Sequence, residues 1–422
     1  ALVRLSSTAM LVQAALAVTL VLASLLLLWR LWCALPGCKP ICPGHRKLQC
    51  LVVLGSGGHT AEMLYDLASL APHRGRLSMT YLIADTDRSS QAKAEAFEAQ
   101  HGEPNARVVR VPRAREVGQS YSSSILTSLR AAWFSLIAVL REPPDIVFAN
   151  GPGTCVPVAF AAYVARVLGL RRVLIMYSES FACVEHLSLS GRLLYHFADC
   201  FTVQWPQLLP EYPKAEYAGR LHCTQDVGIA RQGATSAAGE LRPLSAPTAE
   251  PRTAIVTVGS TKFDALIRAV DTVEFLSALR QLGIQKLKVQ RGAGQHIPAN
   301  LGSATQPTLD GLEVEVVEYT VDLPSQLQQA ALVISHAGAG TILDCLMAGR
   351  RLVVVPNEGL MANHQVQLGM ALQEQGLLFC FRAEELVKSL READFASLRR
   401  FPEQSSNVFA KHSCELLGLT PS

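Results

Sequence analysis

Residues 332–367, LVISHAGAGTILDCLMAGRRLVVVPNEGLMANHQVQ, decide how the chain folds. An apolar run, Leu332 to Ile334, stops at Ser335 and His336, turns through Gly338, Ala339 and Gly340, and restarts with helical periodicity at Thr341. That is a strand, a glycine-rich turn and a helix N-terminus. Glycines let a ligand come close to the backbone, and the unpaired N–H groups and dipole of a helix's first turn favour phosphate oxygens. Asp344 lies four residues past Gly340, on the same helix face, where a carboxylate accepts hydrogen bonds from ribose hydroxyls. A second strand, Arg351 to Pro356, delivers Asn357 and Glu358; Asn363, His364 and Gln365 follow as hydrogen-bonding groups suited to sugar hydroxyls. A Gly-Ala-Gly turn alone is usually just a turn. The ordered set points to a nucleoside diphosphate carrying a sugar.

Upstream the same alternation of strand and helix repeats, which predicts a parallel sheet. A strand at Ala254–Val258 meets Gly259, Ser260 and Thr261, then a helix spans Phe263–Leu282 and strands follow at Lys286–Gln290 and Leu312–Glu318. Residues 223–252, poor in large apolar side chains and rich in Ala, Gly, Ser and Pro, read as a linker. Before it stands another alternating unit, residues 48–222. Its first strand, Leu48–Leu54, runs into Gly55-Ser56-Gly57-Gly58-His59-Thr60, a second phosphate-binding turn. Thr60 occupies the sixth position of G-x-G-x-x-G/A, which argues against a nicotinamide or flavin cofactor. Further strands end in Asp85-Thr86-Asp87, in the basic elbow Pro112-Arg113-Ala114-Arg115, in Asn150-Gly151-Pro152-Gly153-Thr154 and in Ser178-Glu179-Ser180. Ligands bind at the carboxyl ends of parallel strands, so His59, Asn150, Gly151, Gly153, Thr154 and Glu179 gather on one rim. Residues 124–140 form an amphipathic to apolar helix too short to span a bilayer, read as core or as lying on a membrane.

With 422 residues, 49% of them apolar, the chain can fill two domain cores, and a net charge of +3 gives no case for nucleic acid. From Ser6 to Trp29 there is no charged residue, which predicts a transmembrane helix within an anchor segment, residues 1–47. Arg4 flanks it on one side and Arg30, Lys39, Arg46 and Lys47 on the other, so the positive-inside rule puts the rest of the chain in the cytosol. The two cores are expected not to use this anchor. Eleven scattered cysteines without a Cys-x-x-Cys pair argue against a disulfide framework or a zinc ribbon; Cys33, Cys38, Cys42 and Cys50 cluster near His45 with irregular spacing and read as free or acylated thiols.

SHAGAGTILD, NEGLMANHQ and VTVGSTKFDALI resemble the catalytic subunit of the dolichol-pathway N-acetylglucosaminyltransferase, which adds the second GlcNAc to GlcNAc-diphospho-dolichol. LVVLGSGGHTAEM, YLIADTD, VPRAREVGQSY, NGPGTCVPV, SESFACVEHLSLSG and FTVQWPQL resemble its membrane-anchoring partner subunit. Both stand here in one chain, anchor first, in the order of the bacterial transferase that makes peptidoglycan lipid II. The resemblance implies an α/β GT-B fold, two Rossmann-like domains facing a cleft and preceded by one transmembrane helix. Residues 48–222 would be the acceptor side, 253–382 the donor side, and 383–422 a helical tail that crosses back to the first domain.

The implied reaction is attack by the acceptor's 4-hydroxyl on the anomeric carbon of UDP-GlcNAc, with inversion and loss of UDP. Glu179 and His59 are the candidate bases, although a histidine beside phosphates also reads as a charged ligand for the lipid diphosphate. Donor binding falls to Gly259, Ser260, Thr261, His336, Gly338, Ala339, Gly340, Thr341, Asp344, Asn357, Glu358, Asn363, His364 and Gln365. Acceptor binding falls to Gly55, Ser56, Gly57, Gly58, Thr60, Arg113, Arg115, Asn150, Gly151, Gly153 and Thr154. Asp344 departs from the resembling families, which generally carry Glu there. No cofactor and no metal is expected: Asp85 and Asp87, in the acceptor half by resemblance, read as strand-end solvation or helix capping. The expected setting is the endoplasmic reticulum membrane, single-pass with the domains on the cytosolic face, and the preceding GlcNAc-phosphate transferase is a candidate partner. The competing readings are another UDP-sugar transferase with a lipid acceptor and a non-catalytic membrane scaffold.

Overall fold

The structure, a computed structural model, describes residues 2–37, 44, 46–101, 107–114, 123–218, 252–259, 261–301, 311–320, 322–357, 364–401 and 408–419. Arg115, Ser260, Glu358 and Asn363, Cys38, Cys42 and His45, and nearly all of the linker lie outside the described residues.

Helix α1 (Leu2–Cys33) contains a 22-residue stretch, Val12–Cys33, long and apolar enough to cross a membrane, with its side chains exposed. The first domain then runs β1 (Leu48–Val53), α2 (Gly58–Ala68), β2 (Leu77–Ala84), α3 (Arg88–His101), β3 (Arg107–Val111), α4 (Ser124–Arg141), β4 (Ile146–Asn150), α5 (Cys155–Leu168), β5 (Leu174–Ser178), α6 (Leu189–Leu194), β6 (Cys200–Val203) and β7 (Glu216–Tyr217). The second runs β8 (Thr253–Thr257), α7 (Asp264–Val270), α8 (Val273–Gln281), β9 (Lys286–Gln290), β10 (Glu313–Val317), α9 (Leu323–Gln329), β11 (Leu332–Ser335), α10 (Ala339–Met347), β12 (Arg351–Val354), α11 (His364–Glu374), β13 (Phe379–Cys380) and α12 (Leu386–Glu392). Helix α13 (Val408–Leu417) closes the chain.

The first sheet has the order β3-β2-β1-β4-β5-β6-β7 and the second β10-β9-β8-β11-β12-β13, with every pairing parallel. Central strands buried on both faces need unbroken apolar runs such as Leu51-Val52-Val53 and Leu332-Val333-Ile334, and these side chains are buried. In each sheet the strand order reverses once, between β1 and β4 and between β8 and β11. These are the switch points at which a crevice opens beyond the strand ends.

Three local features depart from the sequence reading. The helix over Phe263–Leu282 is two helices, because Asp271 turns its carboxylate to the N–H groups of Ala299, Asn300 and Leu301 (2.7–3.0 Å) and Thr272 caps α8 by accepting from Phe275 N at 3.2 Å. The tail is divided: Phe409, Cys414, Leu416 and Leu417 of α13 join the core of the first domain, the crossing back that the resemblance implied, but Leu386, Leu390, Phe395 and Leu398 belong to the core of the second, which therefore runs past residue 382. The anchor is not independent of the first domain. Ala34 is buried, its carbonyl accepts from Arg166 Nη1 at 3.1 Å, Gly37 N donates to Asp199 Oδ1 at 3.2 Å, and Arg30 Nε donates to the Val167 carbonyl at 2.8 Å. Arg166 and Asp199 form an ion pair buried within the domain. Helix α4, expected to be too short to span a bilayer, runs 18 residues and is by length and composition apolar enough to cross one; it turns Ala131, Ser135 and Val139 inward and leaves Ile125, Leu126, Leu129 and Trp133 exposed.

Candidate active site

Both glycine turns sit at switch points. The first follows β1 and opens α2; the second follows β11 and opens α10. The two helix N-termini meet: a Cβ on Gly58 would lie 2.9 Å from Gly340 N, and one on Gly340 would lie 3.0 Å from Gly58 Cα. Only glycine on both sides permits that approach. Gln367 Nε2 donates to Glu185 Oε2 at 2.7 Å as a second link between the domains. The free N–H groups of the first turn of α10 belong to Ala339, Gly340 and Thr341, because Ile342 N is the first to bond back, to the Gly338 carbonyl at 3.0 Å.

On the first-domain wall, His59 is the second residue of α2 and its side chain is one-third exposed. Its ring packs against Gly151, whose φ of +52° and missing Cβ make the space; a Cβ there would stand 2.3 Å from two ring atoms. Glu62, one turn on, places Oε2 3.7 Å from His59 Nδ1. Burial pulls the His59 imidazole down, but the Glu62 carboxylate by hydrogen bond and charge, and the charge of Glu179, outweigh it, so its pKa is raised. Glu62 is buried and receives Ser180 Oγ at 3.1 Å and Asn150 Nδ2 at 3.3 Å; Asn150 Nδ2 also donates to the His59 carbonyl at 2.9 Å. The sequence reading did not single out Glu62, although its spacing of three residues from His59 in a helix was the available signal.

Glu179 is 1% exposed and its carboxylate accepts from Ser180 N and Ser188 N, each at 2.9 Å, from Ser188 Oγ at 3.1 Å and from Tyr177 OH at 3.3 Å. Burial raises its pKa, opposed by those bonds and by His59. A carboxylate so enclosed holds the loop at 180–191 and sets the field at His59. Thr60 is buried, donating to the Gly55 carbonyl and sharing a 2.6 Å bond with Ser90 Oγ, so it braces the turn from inside. Gly55 meets Pro152, where a Cβ would fall 2.3 Å from Cγ, so the turns at 55–58 and 150–154 abut. Arg113 follows β3, the outer edge strand, about 10 Å from β1 by strand spacing, and is not at the centre of the rim. Asp87 accepts from Ser90 N at 3.0 Å and Ser90 Oγ at 2.6 Å, which caps α3.

On the second-domain wall, His336 is buried at the end of β11 between Gly259 and Gly338. A Cβ on Gly338 would lie 2.6 Å from its Nε2, and Nδ1 has no hydrogen-bond partner. Burial pushes the imidazole down to about 4, so it is neutral near pH 7. Ala337 takes φ +59°, an uncommon conformation for a side-chain-bearing residue, to aim the turn. Gly259 is held by Gln290 Nε2 on its carbonyl (2.8 Å) and by Thr257 Oγ1 on its N–H (3.0 Å). Asp344 shares the face of α10 that carries Gly340, and this face turns toward the first domain, where Gly340 meets Gly58 and Ala61; burial raises the Asp344 pKa, opposed by Lys93 of the first domain. Gln365 Oε1 accepts from Asn357 N at 2.9 Å, and His364 opens α11.

Residues 50–221 match the family described as oligosaccharide biosynthesis protein Alg14 like, and residues 253–416 match the glycosyltransferase family 28 C-terminal domain. The rat UDP-N-acetylglucosamine transferase subunit ALG14 is 43% identical over 206 residues, 47% of this chain and 93% of that protein. The Candida albicans subunit of the same name is 44% identical over 176 residues, 42% of this chain and 79% of that protein. Among solved structures, Acinetobacter baumannii MurG superposes with a TM-score of 0.50 at 16% identity, over 88% of this chain and 95% of that one. A putative UDP-N-acetylglucosamine 2-epimerase from Listeria monocytogenes superposes with a TM-score of 0.55 at 14% identity, over 86% and 94%. At such identities the structures speak for the fold alone, and it is the two-domain GT-B fold. With a relative above 40% identity covered almost end to end, the chain belongs to the Alg14-like family, and it carries a family 28 C-terminal domain in the same polypeptide.

Proposed function

We propose that this protein transfers GlcNAc from UDP-GlcNAc, with inversion, to the 4-hydroxyl of GlcNAc-diphospho-dolichol, giving chitobiosyl-diphospho-dolichol. The observation that carries the proposal is the meeting of two glycine-turned helix N-termini, at Gly58 and Gly340, one from each domain, beside the partly exposed imidazole of His59. One positive helix end suits the departing UDP and the other the lipid diphosphate, so both anions are handled without a metal. The names of the relatives support the donor, and the apolar helix α1 suits a lipid-borne acceptor.

In this reading His59 takes the proton of the attacking hydroxyl. It is the more exposed of the two candidate bases, and the carboxylates of Glu62 and Glu179 hold its pKa up, which strengthens it as a base. Glu179 acts through His59 as a positioning and electrostatic residue. The N–H groups of Ala339, Gly340 and Thr341 stabilise charge as it builds on the leaving diphosphate, and Asp344 accepts from the ribose. The protein works on the cytosolic face of the endoplasmic reticulum, next to the GlcNAc-phosphate transferase that supplies its acceptor.

The test is turnover by the purified chain of radiolabelled UDP-GlcNAc with a phytanyl-diphosphate GlcNAc acceptor, in the presence of EDTA and against a panel of other UDP-sugars. A chitobiosyl lipid formed from UDP-GlcNAc alone supports the proposal. Transfer from a different donor moves the protein to another UDP-sugar transferase, and absence of any turnover leaves a membrane scaffold.

A further inference from the structure

Cys200, Glu216 and His412 are remote in sequence and meet at one point. Cys200 opens β6, Glu216 opens the neighbouring edge strand β7, paired through Thr202, and His412 lies on α13, which the chain reaches only after leaving the second domain. The Cys200 thiol sulfur, a Glu216 carboxylate oxygen and an imidazole nitrogen of His412 lie within 4.8 Å of one another. His412 Nε2 faces Glu216 Oε2, while Nδ1 lies 3.2 Å from Glu415 Oε2 one turn along α13. Histidines that bind metals commonly have the second ring nitrogen held by a carboxylate in this way. Cys200 is buried and not in a disulfide.

We propose that Cys200, Glu216 and His412 bind a zinc-class divalent cation, with Glu415 as the positioning residue for His412. Sulfur, imidazole nitrogen and carboxylate oxygen together suit zinc and not magnesium or calcium, which take oxygen ligands. Metal–ligand lengths of about 2.0 to 2.3 Å set the donor atoms of a tetrahedron roughly 3.3 to 3.7 Å apart, so His412 Nε2 and Glu216 Oε2, now in direct contact, must part by about 1 Å to admit the ion between them and the Cys200 sulfur, and water completes the tetrahedron. Binding releases the thiol proton, and the imidazolium proton where present, to solvent. The site is structural, because Cys200 begins β6 at the opposite end of the strands from the rim that carries Glu179. The ion fastens the last helix of the chain to the edge of the first sheet, and so ties the two halves together.

The experiment uses the full chain in detergent, stripped with a chelator and titrated with cobalt(II) as the spectroscopic probe. One equivalent should develop a thiolate charge-transfer band, zinc should displace it, and zinc should raise Tm. Cys200→Ser and His412→Ala should lose the band, while Cys33→Ser, which removes an exposed thiol elsewhere, should keep it. Glu415→Gln, which leaves all three ligands in place, should weaken zinc binding about tenfold, and it keeps the test open if the ligand variants fail to fold. The proposal is overturned if the parent shows no band, if the band survives in Cys200→Ser and His412→Ala, if zinc leaves Tm unmoved, or if Glu415→Gln binds zinc as the parent does.

Discussion

Replacing Gly151 by alanine tests whether the placement of His59 decides turnover. The new Cβ would stand 2.3 Å from Cε1 and Nδ1 of His59, where ordinary contact begins at 3.4 Å, so the ring must retreat by about 1 Å. A displacement of that size at a reacting group costs on the order of 100-fold in rate. The backbone adds strain, since alanine at φ +52° costs about 1 kcal/mol. Gly311→Ala separates the two effects: φ there is +86°, no atom lies within 4 Å of the added Cβ, and the residue is outside the proposed site. We expect kcat of Gly151→Ala to fall about 100-fold with UDP affinity by calorimetry unchanged, and Gly311→Ala to turn over like the parent with a similar small loss of stability. Turnover by Gly151→Ala within a few-fold of the parent, or an equal loss in Gly311→Ala, would refute the role given to the His59 ring.

Glu62→Gln removes the carboxylate that holds the His59 pKa up, so neutral imidazole persists to lower pH and the acid limb of the kcat/KM profile should shift downward; an upward or absent shift contradicts the assignment. Because burial holds His336 at about 4 in the fold against 6.5 in the unfolded chain, the unfolded state binds more protons between these values; stability is full above pH 6.5 and falls as pH drops toward 4, by on the order of 3 kcal/mol, and denaturant melts of His336→Gln should show a flatter pH dependence. Asp344→Ala should raise the donor KM, whereas Glu179→Gln should lower kcat with UDP binding near normal; the reverse pattern in kinetics and calorimetry would exchange the domain roles. Asp199→Asn leaves the buried Arg166 guanidinium without its charge partner, and should cost about 3 to 5 kcal/mol in thermal unfolding.

Much of this protein was legible because its determinants are local. A strand, a glycine turn and a helix start are written in consecutive residues, so the turns at Gly55–Gly58 and Gly338–Gly340, the parallel order and the apolar anchor could be read from spacing alone. The same locality let Asp344 be placed on the face of α10 that carries Gly340. What could not be read depends on residues that meet only when the chain is folded. Burial through contacts with distant segments encloses Glu179 and leaves His59 partly exposed, a difference between the two candidate bases that no local pattern carries. The pairing of Arg166 with Asp199, which fixes the anchor, spans 33 residues and leaves no periodic trace. Cys200, Glu216 and His412 come from two strands and a helix that arrives by way of the other domain, so no ligand spacing exists to be found. Sequence determined the elements and the two glycine turns, because hydrogen bonding and side-chain periodicity act over a few residues; tertiary structure decided which charges are buried, which rings pack on which glycines, and what stands face to face between the domains, because burial and electrostatics depend on distance in space.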